Sequence, residues 1–442
     1  MRKFAIIFFI LVVAFFSFSY LQIDKIRTQL TKSLVENEIA FSKIEINLFP
    51  LPTVIIQQPQ FIYEKDRIFF HYARFDLSIP SLLFAELAFK YISFSNGINS
   101  FYNINGLNIN LSETDLKLDE LMVLIDKFKK NQIFDRTLKQ NYFNLDISFR
   151  NNSKKMIHFS SHINLDKTIN FNQASLSISS DNLSKKNIIK INQGIIYRQD
   201  DLNYKLLVGD LWVNEGHFVD TTVFFRLPQN NEQNYYLTIN DKNNYVKINV
   251  FQENEINQLL TLNVFLSMES SDLLKSLQLP MISSGKLKAK ANINIKDGTI
   301  LDSNYLLAAE KGTIYGLNLL SIIRQYVPIN YDEDSLNNKN INTYFTNLYL
   351  NGHYRDKQFL FSEISLTMDD LIATGQGRAT LLNSECDINL EFALNRNKYS
   401  EYTSLRLPVH FFGQCDNPQY KLQVNQQLLR QLKSLLLKKF RH

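Results

Sequence analysis

Few residues in this chain have the types and spacing that chemistry needs. His158 and His162 stand four apart in Met156-Ile-His-Phe-Ser-Ser-His-Ile163. On a helix that spacing would place two imidazoles side by side for a metal ion. The stretch reads as a strand, so two surface histidines are the plainer reading. Asp369 and Asp370 are adjacent, and consecutive strand residues point to opposite faces. They do not form the paired carboxylates of acid–base catalysis. Gly375-Gln-Gly377 lacks the third glycine of a dinucleotide loop and opens no helix, so a bend in a strand explains it better. No Gly-x-Ser-x-Gly element and no phosphate-binding Gly-Lys-Ser/Thr element occurs. We therefore expect no catalytic residue, no metal site, no cofactor and no enzymatic activity.

The two cysteines, Cys386 and Cys415, lie near the C-terminus. Two thiols alone cannot complete a structural zinc site. If the strands around 386–392 and 407–415 pair as an antiparallel hairpin, the two can face each other directly and form a disulfide in an oxidising compartment. Two buried thiols acting as small apolar side chains are the alternative.

The elements that carry these residues are mostly strands. Phe143, Leu145, Ile147 and Phe149 alternate with polar neighbours. So do Leu287, Ala289, Ala291, Ile293 and Ile295, then Cys386, Ile388, Leu390 and Phe392, and then Tyr420, Leu422 and Val424. Period-2 alternation marks antiparallel sheet with one wet and one apolar face. Asn96-Gly97, Asn105-Gly106, Asp297-Gly298 and Asn351-Gly352 supply turn signals between runs. Helical patterns are expected at 22–39, 81–89, 113–130, 270–277, 317–327 and 425–441. The last would put Leu428, Leu429, Leu432, Leu435 and Leu436 on one face, with Arg430, Lys433, Lys438, Lys439 and Arg441 as charge. Such a helix either caps a sheet edge or lies on a membrane.

The chain starts Met1-Arg-Lys, followed by an uncharged apolar run to Leu21; the next charge is Asp24. A helix from Phe4 to Ile23 would be about 30 Å long, the thickness of a bilayer's hydrocarbon core. A cleaved signal peptide, cut near Ser17-Phe18-Ser19, is the rival. Its apolar core would usually be shorter. Arg2 and Lys3 favour a cytoplasmic N-terminus, and Asp24 partly offsets Lys25 and Arg27 on the other side. The expectation is a single-pass anchor with the body outside. With 34 Phe, 21 Tyr, 13 Gly and 9 Pro, the rest is neither disordered nor a loop-rich scaffold. A net charge of +5 over 442 residues does not suggest a nucleic-acid partner.

Several segments, in this order, resemble the AsmA family of Gram-negative envelope proteins. After the anchor come Ile46-Asn-Leu-Phe-Pro-Leu-Pro52, Val54-Ile-Ile-Gln-Gln-Pro-Gln-Phe61 and Ala73-Arg-Phe-Asp-Leu-Ser-Ile-Pro80. Toward the C-terminus come Ser270-Ser-Asp-Leu-Leu-Lys-Ser-Leu277, Gly312-Thr-Ile-Tyr-Gly316 and Asn342-Thr-Tyr-Phe-Thr-Asn-Leu348. Thr374-Gly-Gln-Gly-Arg-Ala-Thr-Leu381, Leu407-Pro-Val-His-Phe-Phe-Gly413 and Pro418-Gln-Tyr-Lys-Leu422 complete the set. Their order over roughly 1–100 and 268–430 carries the likeness; residues 130–265 match only in strand character. Gln414-Cys415 stands where the family more usually has Thr-Trp.

The resemblance implies an inner-membrane anchor and a periplasmic body. It implies an elongated, curled antiparallel β-sheet with an apolar groove, of the bridge-like lipid-transfer type. The implied function is in outer-membrane biogenesis, binding or conducting phospholipid. On this reading Leu287, Ile293, Ile295, Ile388, Leu390, Phe392 and Leu422 are groove candidates. A scaffold or assembly factor contacting outer-membrane or other envelope proteins is the alternative. The expected organisation is an anchor at 1–23, an N-terminal β/helix region at 24–130 and a central β region at 131–265. A C-terminal β region at 266–424 and a basic amphipathic helix at 425–442 complete it.

Overall fold

The computed structural model describes residues 23–47, 51–63, 66–83, 86–99, 104–129, 142–151, 155–165, 168–180, 186–200, 203–226, 234–252, 259–278, 283–296, 299–325, 342–380, 385–395, 405–415 and 417–439. The expected anchor at 1–23 falls almost wholly outside them. Among the described residues no helix is long and apolar enough to cross a membrane. The chain is mainly antiparallel β with few helices. Its contacts divide it into two units, 1–213 and 214–442. The division falls within the stretch expected as a central region.

In the first unit, helix α1 (23–36) lays Ile26, Leu30 and Leu34 into the core. Their spacing of four keeps them on one stripe. Beneath it pair β1 (Lys43–Asn47), β2 (Thr53–Gln57), β5 (Tyr72–Leu77) and β6 (Ala88–Asn99), all antiparallel. The hairpin of β3 (Gln60–Tyr63) and β4 (Asp66–Phe69) joins β6 where Phe69 faces Ile98. The sheet continues from β6 to β7 (Ile104–Lys117), β8 (Tyr142–Arg150) and β9 (Lys155–Leu165). It goes on through β10 (Ile169–Ser180) and β11 (Asn187–Arg198) to β12 (Asn203–Val213).

Two helical expectations shrink here. Helix α2 spans only Ile79–Leu83, because Ala88 and Phe89 belong to β6 and are buried in the core. Helix α3 runs Leu118–Lys129, since Glu113 to Lys117 are the end of β7. The switch point is marked by Glu120, whose carboxylate accepts the Lys117 N–H at 3.0 Å and so satisfies a helix-start donor.

The second unit is a meander. Its strands are β13 (Gly216–Arg226), β14 (Asn234–Asn240), β15 (Tyr245–Gln252), β16 (Leu259–Glu269), β17 (Ser283–Lys296) and β18 (Thr299–Ile314). They continue as β19 (Thr343–Arg355), β20 (Gln358–Thr367), β21 (Leu371–Thr380), β22 (Glu385–Leu394), β23 (Arg406–Gln414) and β24 (Gln419–Leu422). Each pairs antiparallel with the next.

Helix α4 (Ser270–Ser276) follows β16, α5 (Leu319–Arg324) follows β18, and α6 (Gln426–Lys439) follows β24. Asn318 caps α5 by accepting the Ser321 N–H at 2.8 Å, and Asn425 caps α6 by accepting the Leu428 N–H at 2.8 Å. Leu428 is buried, but Leu429 is 55 % exposed, so the five leucines expected on one face of α6 do not share it. One residue is 100° on a helix, enough to carry Leu429 off the buried stripe.

The apolar face of the C-terminal unit as candidate functional site

The register of the second unit lines its apolar side chains into rows that cross the strands. One row runs Met268, Leu287, Ala309, Leu348, Leu366, Ala373, Phe392 and Leu407. Helices α5 and α6 send Leu319, Ile322, Ile323 and Leu428 into the same core, and Leu273 of α4 packs against it. The next row holds Leu266, Ala289, Leu307, Leu350, Ile364 and Leu390.

Two further rows follow. The first includes Val264, Ala291, Tyr305, Phe361 and Ile388, and the second Leu262, Ile293, Tyr354, Phe359 and Cys386. Of these, only Ile388 joins the helix-covered core, as a partly buried neighbour. The others named are half-buried. Apolar surface therefore continues from β16 to β22 beyond the region that the helices seal. At about 4.8 Å per strand, these seven strands give a band on the order of 30 Å wide.

An aromatic cluster sits in this band. The Tyr305 and Phe359 rings lie 5.7 Å apart and those of Tyr354 and Phe359 5.0 Å. The Tyr305 hydroxyl donates to the Leu360 carbonyl at 3.2 Å, and burial pushes its pKa up to about 12. Opposite Tyr305, Gly352 leaves no room for a Cβ, which would meet the Leu360 carbonyl. Gly375 and Gly377 oppose Leu390 and Ile388, and a Cβ at either would strike the backbone of β22. The Gly-Gln-Gly stretch is thus a close approach of two strands.

The sequence candidates fall into three groups. Leu287 and Phe392 are 4 % and 1 % exposed and belong to the sealed core, so they line no open surface. Ile388, Leu390 and Leu422 are partly buried at its margin. Ile293 and Ile295 are half-buried and lie outside it. Tyr305, Leu350, Tyr354, Phe359 and Phe361 were missed. For Phe359 and Phe361 the signal was obscured by a bulge between Phe361 and Ile364 that changes the parity of β20. Simple alternation puts those two residues on opposite faces, and the bulge returns them to one.

Cys386 and Cys415 are joined by a disulfide, with Cα atoms 5.1 Å apart. They are not directly opposite, because Cys386 faces Gly413. Gly413 adopts a φ of 89°, open to glycine at little cost, and the disulfide is made by Cys415, two residues further along.

The histidines make local polar contacts. His158 Nε2 lies 2.6 Å from Asp146 Oδ2, and His162 bonds to Asn144. On β22 and β23, His410 Nε2 lies 2.7 Å from Asp387 Oδ1, and Arg378 donates to Asp387 Oδ2 at 3.0 Å. The hydrogen bond from His410, aided by Arg378, holds the Asp387 carboxyl below its ordinary value. Asp369 and Asp370 form the turn between β20 and β21, where their carbonyls accept from Asn395. Among the described residues no group of three or more His, Cys, Asp or Glu could hold a metal ion.

The resembling segments have local reasons for their form. The Thr343 hydroxyl accepts the Leu319 N–H at 2.9 Å at the start of α5. Phe345 packs where a Cβ on Gly312 would collide with its ring. Leu348 lies in the sealed row.

No protein-family model matches the chain. It is similar to an uncharacterized protein of Haemophilus influenzae, 24% identical over 454 residues that cover 100% of both chains. No solved structure matches it.

Proposed function

We propose that this is a non-enzymatic, inner-membrane-anchored periplasmic protein that binds or conducts phospholipid along the uncovered apolar face of its C-terminal unit. The observation that carries the reading is the continuation of apolar rows from Leu262 and Ile293 to Tyr354 and Phe359 beyond the helix-sealed core. Acyl chains suit such a surface because it offers mainly hydrocarbon contact, interrupted by Ser303 and the Tyr354 hydroxyl. The close strand approaches at Gly375 and Gly377 fit a sheet that curls toward its apolar side. The disulfide fits an exported body. The resemblance to AsmA proteins supplies the membrane pair and the role in outer-membrane biogenesis.

A photo-crosslinking residue at Ile293 or Phe359, with Leu287 as a sealed control and Asn292 as a control on the opposite face, tests this in living cells. Phospholipid adducts at Ile293 and Phe359, and none at Leu287 or Asn292, are expected. Protein adducts alone at the first two would point instead to a scaffold for envelope proteins and end the lipid reading.

A further inference from the structure

On the opposite, polar face of the C-terminal unit the register aligns amides. Asn249 faces Asn263, Asn263 faces Asn292, and Asn292 faces Asn304. Only the central pair is joined, Asn292 Nδ2 donating to Asn263 Oδ1 at 2.7 Å. The Asn249 and Asn304 side chains bond to no other group among the described residues. In the adjacent row Lys247, Phe265, Lys290 and Leu306 lie side by side on successive strands. Lys290 Nζ sits 6.0 Å from the centre of the exposed Phe265 ring. Together these residues line a depression of about 470 Å³.

Charge on this face is unbalanced at the depression. Neither Lys247 nor Lys290 has a carboxylate partner among the described residues. Of the nearby acids, Glu310 pairs with Lys288 at 3.6 Å and Asp302 accepts the Asn294 amide at 2.8 Å, while Glu363 faces Asn351 at the edge of the depression.

From this we infer that the Asn249–Asn304 ladder, flanked by Lys247, Phe265 and Lys290, is a binding site for an acidic oligosaccharide. Each free amide offers both a donor and an acceptor, as adjacent sugar hydroxyls require. The ladder repeats at the strand spacing of about 4.8 Å, close to the length of one sugar ring along a linear chain. Phe265 and Leu306 present apolar surface to the C–H face of a ring, and two unpaired cations select for a carboxylate or phosphate substituent. A lipid on the apolar rows cannot supply the ligand, because the sheet backbone lies between the two faces.

Isothermal titration of the full chain in detergent, with tetragalacturonate as probe, tests the site. Maltotetraose and inorganic phosphate serve as separate arms. Saturable binding of tetragalacturonate is expected, at least about tenfold tighter than either arm. Lys290→Ala, Lys247→Ala and Asn304→Ala should each weaken it by about threefold or more, with unchanged circular dichroism because all three side chains are exposed. Absence of binding, equal affinity for maltotetraose or for phosphate, or unchanged affinity in all three variants would overturn the inference.

Discussion

Leu287 and Ile293 stand on the same strand and the same face, and truncating each to alanine separates sealed core from open face. Leu287 is 4 % exposed beneath the helices, whereas Ile293 is half-buried and outside that core. Either change deletes three carbons, worth about 2.4 kcal/mol of transfer free energy at about 0.8 kcal/mol per buried carbon. At Leu287 the packed neighbours cannot fully collapse, and the cavity raises the cost to about 3–4 kcal/mol. At Ile293 up to about a third of the side chain is in contact with solvent, and no sealed cavity forms, so the cost is about 1.5–2 kcal/mol. Urea unfolding followed by far-UV circular dichroism reads the difference as a shift in midpoint at constant slope. If Ile293→Ala costs as much as Leu287→Ala, the face is packed along its whole length and the argument for an open apolar band fails.

The disulfide closes a separation of 29 residues, so reducing it should cost about 3–4 kcal/mol through the entropy of the unfolded chain. Urea midpoints with and without dithiothreitol measure this, and thiol reagents should label neither cysteine in denatured, unreduced protein. Asp387 is held ionised by His410 and Arg378, so its contribution is present above the unfolded carboxylate pKa and is lost as pH falls through the lower folded value. The carboxyl is substantially exposed, so Asp387→Asn should cost less than about 1 kcal/mol at neutral pH and lessen the loss of stability in acid below about pH 4. Gly312→Ala should destabilise by about 1–3 kcal/mol, because the new methyl meets the Phe345 ring and the Ser284 carbonyl; thermal melts would register it. Asn425→Ala should cost about 1 kcal/mol by removing the α6 cap, read in the same melts.

Alternation made much of this architecture legible. It assigned Leu287, Ile293, Ile388 and Phe392 to one side of their strands, and the register agrees. The helices at 270–277 and 317–327 were also visible, with small errors at their ends. Local signals failed where two states compete for the same residues. Of the apolar run at 81–89, residues 81–83 are helical whereas Ala88 and Phe89 belong to β6, where Phe89 is fully buried. The bulge in β20 inverted parity where no turn residue announces it.

The division between the two sources of information follows from range. Side-chain period is a property of neighbouring residues, so the sequence by itself determined that strands dominate and that each has one apolar face. Coverage of that face depends on where α5 and α6 dock, contacts made between residues far apart in the chain. Only the tertiary structure therefore separated Leu287 and Phe392, sealed in the core, from Ile293 and Ile295 on the band beyond it. Likewise, Asn249, Asn263, Asn292 and Asn304 are scattered polar residues in the sequence; pairing of successive strands makes them one ladder.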